Sequence, residues 1–282
     1  PFDIVAAPPL RFYRTGNYSL VLVAHHVLCD ASSLTILAHQ IRAEYNAIKA
    51  NAHLDDHCTT LKPEYGFFIH AARQARQTSA DLAEKLDHWE KYLTRHHVKN
   101  TPDCAFVPLD LKLDYEPNKS PSAKRSCASV EIDIPLAVSA KIRADARCHG
   151  RTTFSTLIAA WALTLRRQAK PYFGSDALVD DLVFGTAYDL RGMSGLSTKE
   201  AVGCFSTLLP IRCNTSLNDD GRSPTFDVFA SRVKRACQTA FRFPDVPLLG
   251  IIERLKPPRR AGGGNPLFST CFSFVSLSSG LN

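Results

Sequence analysis

The sequence predicts a mixed α/β protein, and three observations carry that expectation. An apolar run, Leu20 to Ala24, leads through a short loop into a helix-like run from Ser33 to about Ala50. Strand-like runs cover Leu182–Tyr188 and Val202–Cys213. Phe226, Phe229, Val233, Ala236, Cys237 and Ala240 then recur at helical spacing. The 282 residues suit one large domain or two lobes.

In chain order, Phe2 to Pro9 is an extended lead-in. Leu10–Tyr13 and Tyr18–Ala24 are two strands joined by the turn signal Thr15-Gly16-Asn17, and the second is expected to be buried. Leu34, Leu37, Ala38, Ile41, Tyr45 and Ile48 mark the core face of the first helix, with Arg42, Glu44 and Lys49 outside. Residues 51–63 are loop-like; Asp55, Asp56, His57 and Cys58 lack a second cluster, so no metal site is expected there. Tyr65–Gln77 is a second helix, and Thr78-x-x-Asp81 has the capping-box form for a third. Leu82, Leu86, Trp89 and Leu93 of that helix are packing residues, and His96-His97, beside Arg95 and Lys99, caps its C-terminus.

Residues 98–123 hold four prolines and few periodic runs and form the connection between lobes. Ser126–Ile134 alternates like a strand. Pro135 and Gly150 bracket a helix, and Thr152 or Thr153 caps a strongly apolar one over Phe154–Leu165. Leu182–Tyr188 ends in Asp189-Leu190-Arg191-Gly192, and Val202–Cys213 bends at Pro210. After the helix over 226–240, Val246–Leu255 is a short helix with Pro247 near its start. Gly262-Gly263-Gly264 is no phosphate cradle, because no strand leads into it and no helix follows. Leu267–Leu277 closes as a strand.

Composition narrows the function. The formal charge is +7, but the basic residues are scattered and no aromatic-interleaved basic stripe appears, which argues against nucleic acid. Nine cysteines show no Cys-x-x-Cys spacing, which disfavours zinc and a disulfide framework and suits reduced thiols in the cytoplasm. No run approaches the ~20 apolar residues of a membrane span. Residue 1 is Pro and the one methionine is Met193, so the chain is expected to be a piece of something longer.

The chemistry concentrates in Ala24-His25-His26-Val27-Leu28-Cys29-Asp30. A loop at the end of a strand holds a side chain over a cleft on a rigid base. Histidine moves protons near neutral pH, and a carboxylate four residues on can curl back to fix the loop. On the residues alone, this pair suits a structural loop as well as a proton-handling one.

His-His-x-x-x-Asp resembles the signature of condensation domains of nonribosomal peptide synthetases, whose wider acyltransferase relatives keep His-x-x-x-Asp. Further stretches agree in the family's order. Phe2-Asp3 with Pro9-Leu10-Arg11 resembles the family's lead-in, and His88-Trp89-Glu90-Lys91-Tyr92-Leu93 its Tyr-Trp-x-x-x-Leu helix. Val202-Gly203-Cys204-Phe205-Ser206-Thr207-Leu208-Leu209-Pro210-Ile211-Arg212 is similar to Ile-Gly-x-Phe-x-Asn-Thr-x-x-x-Arg. Phe243-Pro244-Asp245-Val246-Pro247-Leu248 is similar to His-Gln-Asp-x-Pro-Phe, and Asn265-Pro266-Leu267-Phe268 to the Asn-Pro-Leu-Phe stretch, with Arg259 and Arg260 upstream. Two departures stand out: Ala31 replaces the usual Gly after Asp, and Phe243-Pro244 the His-Gln pair.

The resemblance implies a chloramphenicol-acetyltransferase-like α/β architecture of two lobes in a V, here incomplete at both ends. Residues 1–97 would be a partial N-terminal lobe, 98–123 the connection and 124–282 the C-terminal lobe. The implied activity is that of an acyltransferase in secondary-metabolite biosynthesis, forming an amide bond between carrier-bound thioesters. A related ester-forming or cyclising transferase and an inactive carrier-docking domain are the alternatives. Its partners would be donor and acceptor peptidyl carrier domains, whose phosphopantetheine arms deliver the substrates, and a neighbouring adenylation domain. No cofactor or metal bound by the domain is implied. His26 takes the catalytic position. His25, Asp30 and Arg191 support it; Arg191 and an arginine missing from the front of the chain are the two candidates for Asp30's cation.

Overall fold

A computed structural model describes residues 3, 10–16, 19–50, 79–94, 110–111, 128–170, 181–193, 201–216, 218, 221–257 and 265–275. The expected lead-in apart from Asp3, the polar loop over 51–63, the helix over Tyr65–Gln77, His96-His97, most of the 98–123 connection and the triple glycine lie outside those residues. The chain forms two compact units, Pro1–Asp81 with Tyr188–Thr207, and Leu82–Ala187 with Leu208–Asn282.

In the first unit, β1 (Leu10–Thr15) and β2 (Ser19–Ala24) form an antiparallel hairpin in which Leu10 faces Ala24 and Thr15 faces Ser19. β2 is not the buried strand expected: Leu20, Val21 and Val23 are exposed, because β1 is its one partner among the described residues. After the loop over residues 25–30 comes α1 (Ala31–Lys49), whose N-cap is Asp30. Its apolar stripe is only half-covered, with Leu37, Ala38 and Ile41 partly buried and Leu34, Tyr45 and Ile48 exposed. A 3₁₀ turn, Leu190–Met193, completes the unit's regular structure.

The second unit begins in α2 (Ser79–Leu93). A short pair, β3 (Asp110–Leu111) with β4 (Ala169–Lys170), is antiparallel. α3 (Leu136–Cys148) starts after Pro135, and α4 (Thr153–Gln168) is capped by Thr152, whose Oγ1 accepts the Ser155 amide at 3.0 Å. Arg151 between them donates to Asp145 (2.9 Å) and Asp227 (2.8 Å). β5 (Asp181–Asp189) is the middle strand of a three-stranded sheet, between β6 (Ser206–Asn214) and β7 (Cys271–Phe272), and pairs with β7 in parallel. α5 (Phe226–Ala240) buries Phe229, Val233, Cys237 and Ala240, and α6 (Leu248–Leu255) follows Pro247.

The aromatic helix motif is a packing device. Trp89 is fully buried, and its indole N–H donates to the Phe243 carbonyl at 3.0 Å. Arg212 donates to the terminal carbonyls of α2, Tyr92 (3.0 Å) and Thr94 (2.6 Å), satisfying groups that a helix end leaves open, and pairs with Asp181 at 2.7 Å. Asp245 pairs with Lys85 at 2.5 Å. Leu267 and Phe268 are buried, and a Cβ on Gly185 would lie 2.5 Å from the Phe268 ring, so β5 needs glycine at that point.

Three expected strands come out differently. Over residues 128–135 no strand forms, and Val130 and Ile132 are 85% and 82% exposed; alternation assigns faces but does not supply a neighbouring edge. β6 starts at Ser206 rather than Val202, because the backbone before it is bonded to side chains instead of a strand (below). Only Cys271–Phe272 of the expected Leu267–Leu277 strand pairs among the described residues; ahead of it, Asn265 Oδ1 accepts the Leu267 amide at 2.9 Å and turns the chain.

Candidate active site

The loop between β2 and α1 is a tight turn closed by the Leu28 amide donating to the His25 carbonyl at 2.9 Å. His25 is half-buried and engaged within the turn, its Nδ1 accepting the Val27 amide at 3.1 Å. His26 is exposed, with its Nδ1 3.7 Å from Sγ of Cys204.

Asp30 lies beneath, 5% exposed. As N-cap of α1 it accepts the Ser33 amide on Oδ1 at 2.9 Å. Arg191 grips the same carboxylate in bidentate fashion, Nη1 to Oδ2 at 2.7 Å and Nη2 to Oδ1 at 2.8 Å. The Phe205 amide adds a bond to Oδ2 at 3.0 Å. Burial alone raises the Asp30 pKa, but the hydrogen bonds from Arg191 and Ser33 outweigh it and hold the carboxyl at about 2.

Ser33 is the second hub, fully buried in the first turn of α1. Its Oγ accepts from the Gly203 amide (3.0 Å) and Arg191 Nη2 (2.8 Å). Its single proton is shared between Asp30 Oδ1 (2.9 Å) and the Gly203 carbonyl (2.8 Å). The Asp30 amide also donates to the Gly203 carbonyl at 3.3 Å. A Cβ on Gly203 would come within 2.8 Å of the Phe205 ring, so this close approach needs glycine. Arg191 is buried, stacks its guanidinium 4.5 Å from the Phe205 ring centre, donates to the Ala201 carbonyl, and is steadied by Asp189, which accepts its backbone amide at 2.9 Å.

The structure therefore brings together His25, His26, Asp30 and Arg191 in one unit. Arg191, one of the two candidates for Asp30's cation, is in direct contact with it. Ala31 opens α1, and among the described residues Lys256 is the only non-glycine with positive φ, so the loop follows a path that alanine accepts. Sequence reasoning assigned no role to Ser33, Asp189 or Cys204. The Asp30-x-x-Ser33 spacing was a usable signal for the first, since it places both residues on the opening turn of a helix. Among the described residues no group of His, Cys, Asp and Glu is arranged to hold a metal ion, and no helix is long and apolar enough to cross a membrane.

Comparison with known proteins identifies the family and the fold. The chain is 27% identical over 264 residues to phosphinothricin tripeptide synthetase PhsB of Streptomyces viridochromogenes, covering 92% of this chain and 20% of that protein. It is 28% identical over 281 residues to cyclosporin synthetase simA of Tolypocladium inflatum, covering 98% of this chain and 2% of that protein. The solved condensation domain from the monacolin K polyketide synthase MokA superposes with a TM-score of 0.63 at 22% identity, over 96% of this chain and 57% of that one. The fold is accordingly the chloramphenicol-acetyltransferase-like fold of condensation domains. The family model described as condensation domain matches residues 1–279, and the chain belongs to that family.

Proposed function

We propose that this chain carries the active loop of a condensation domain in a nonribosomal peptide synthetase, and that the reaction below is that of the whole domain. That domain joins a donor acyl or peptidyl thioester to the amine of an acceptor aminoacyl thioester, both carried on phosphopantetheine arms of carrier domains. The observation that supports this reading is the buried clamp of Asp30, Arg191 and Ser33, which fixes a turn and leaves His26 exposed upon it.

The neutral amine attacks the thioester carbonyl. A C–N bond forms, and the carbonyl electrons move onto oxygen. Collapse of that intermediate breaks the C–S bond, and the donor thiol leaves with the proton lost from the attacking nitrogen. An imidazole at the reacting centre orients the amine, relays its proton or donates to the oxyanion, and each of these roles makes the rate depend on His26. His25 and Asp30 have other tasks: His25 closes its own turn, and Asp30 is consumed by five hydrogen bonds and is no free acid or base.

The test is single-turnover transfer in the full-length parent, with loaded donor and acceptor carriers and products followed by intact-protein mass. Wild type should place an amide product on the acceptor carrier, and His26→Ala should lower the rate by roughly 10²–10⁴ while keeping its fold. Equal rates in the two proteins would overturn the role of His26. No product with several donor and acceptor pairs would overturn the condensation reading in favour of docking or of a free alcohol or CoA substrate.

A further inference from the structure

We infer that Cys204 is a positioning residue for His26: its thiol donates to Nδ1 and thereby holds the imidazole with its proton on Nε2.

The contact is between Sγ and Nδ1 at 3.7 Å, within the range of a sulfur hydrogen bond. Its direction follows from the groups. A neutral thiol is a weak acceptor, whereas an unprotonated imidazole nitrogen is a good one, so the bond runs from S–H to Nδ1. The nitrogen that accepts carries no proton, which leaves the ring's proton on Nε2.

Cys204 is held for this task by both of its neighbours. The Gly203 amide donates to Ser33 Oγ at 3.0 Å, and the Phe205 amide donates to Asp30 Oδ2 at 3.0 Å. The Asp30 amide returns a bond to the Gly203 carbonyl. Residue 204 is thus pinned between two anchored peptide units, and the same Asp30 that anchors them caps the helix after the His26 turn. The clamp sets the thiol and the imidazole relative to each other.

Within the condensation reading, this gives His26 a defined part. Nε2–H is a hydrogen-bond donor, suited to the oxyanion of the tetrahedral intermediate rather than to taking a proton from the amine.

The test is ¹⁵N resonance of imidazole-labelled histidine in the full chain, which needs no substrate and so reports independently of the condensation reading. In wild type, at a pH where His26 is neutral, Nδ1 should resonate as an unprotonated nitrogen accepting a hydrogen bond, and Nε2 as a protonated one. Cys204→Ala should move Nδ1 to the position of a free acceptor, with the other histidines unchanged as the check on folding. Cys204→Ser, which keeps a donor, should restore part of the shift. A proton on Nδ1 in wild type, or an Nδ1 resonance indifferent to Cys204→Ala, would overturn the inference. In single-turnover transfer, Cys204→Ala should lower the rate constant of the transfer step, and Cys204→Ser should recover part of the loss.

Discussion

Arg191 and Asp30 meet as a buried bidentate pair, 161 positions apart in sequence, at 2.7 and 2.8 Å. The Asp30 carboxyl sits at about 2, below the ~3.9 of an unfolded chain. A depressed folded-state pKa means that the folded protein binds this proton less readily than the unfolded one. The pair's contribution is therefore complete above about pH 4 and is lost as pH falls toward about 2, and it amounts to about 2 kcal/mol. Urea unfolding of wild type and Asp30→Asn across that window should show a shallower pH slope in the variant. Parallel slopes would assign the acid sensitivity elsewhere.

Removing one partner is costlier than protonating it. Asp30→Ala leaves the Arg191 guanidinium buried without its main acceptor, and Arg191→Ala leaves a buried carboxylate without its cation. Each should destabilise by about 3–5 kcal/mol. The double variant should cost less than the two added together, because the second change removes the charge that the first orphaned. Strict additivity in a double-mutant cycle would show that the two residues act separately.

Local patterns were the legible part of this fold. Helical periods in α2, α4 and α5, the proline and glycine that bracket α3 and the turn signal between β1 and β2 depend on neighbours within a few residues, so they can be read before any tertiary contact exists. Pairing is different. The alternation over Ser126–Ile134 looks like a strand, but residues 128–135 find no partner edge. Val202–Phe205 looks like the start of β6, yet its amides and carbonyls are taken by Ser33, Asp30 and Arg191. In the site, His26 and Asp30 could be named from the seven residues Ala24–Asp30, whereas Arg191 came forward only through resemblance to a family. Cys204 had no signal at all, because its meaning depends on a side chain 178 positions away.

Gly185 illustrates a constraint that spacing conceals. A methyl group there would overlap the buried Phe268 ring, at 2.5–2.8 Å from three of its carbons. Gly185→Ala should lower stability by about 1–3 kcal/mol through overpacking. Adding Phe268→Leu should recover part of that loss, since the smaller side chain vacates the ring's space. Thermal unfolding of the three proteins tests this, and a Gly185→Ala protein as stable as wild type would show that the ring yields without cost.

The thiols provide the last test, because they divide by environment. Burial pushes Cys213 and Cys237 up to about 12, and burial followed by the nearby Asp30 also raises Cys29. At pH 8 a thiol of pKa about 12 is thiolate to roughly one part in 10⁴, so these groups should resist iodoacetamide until the protein unfolds. Cys204 is partly exposed and Cys148 exposed, so both should be labelled in the native state; peptide mapping distinguishes them. Alkylation joins sulfur to the reagent's carbon with loss of iodide, placing a carboxamidomethyl group where the thiol now faces His26. Transfer by the full-length parent should fall in step with labelling of Cys204, while Cys204→Ser should keep its own rate after the same treatment. Inactivation of Cys204→Ser at the wild-type rate would move the sensitive thiol elsewhere and separate Cys204 from the transfer step.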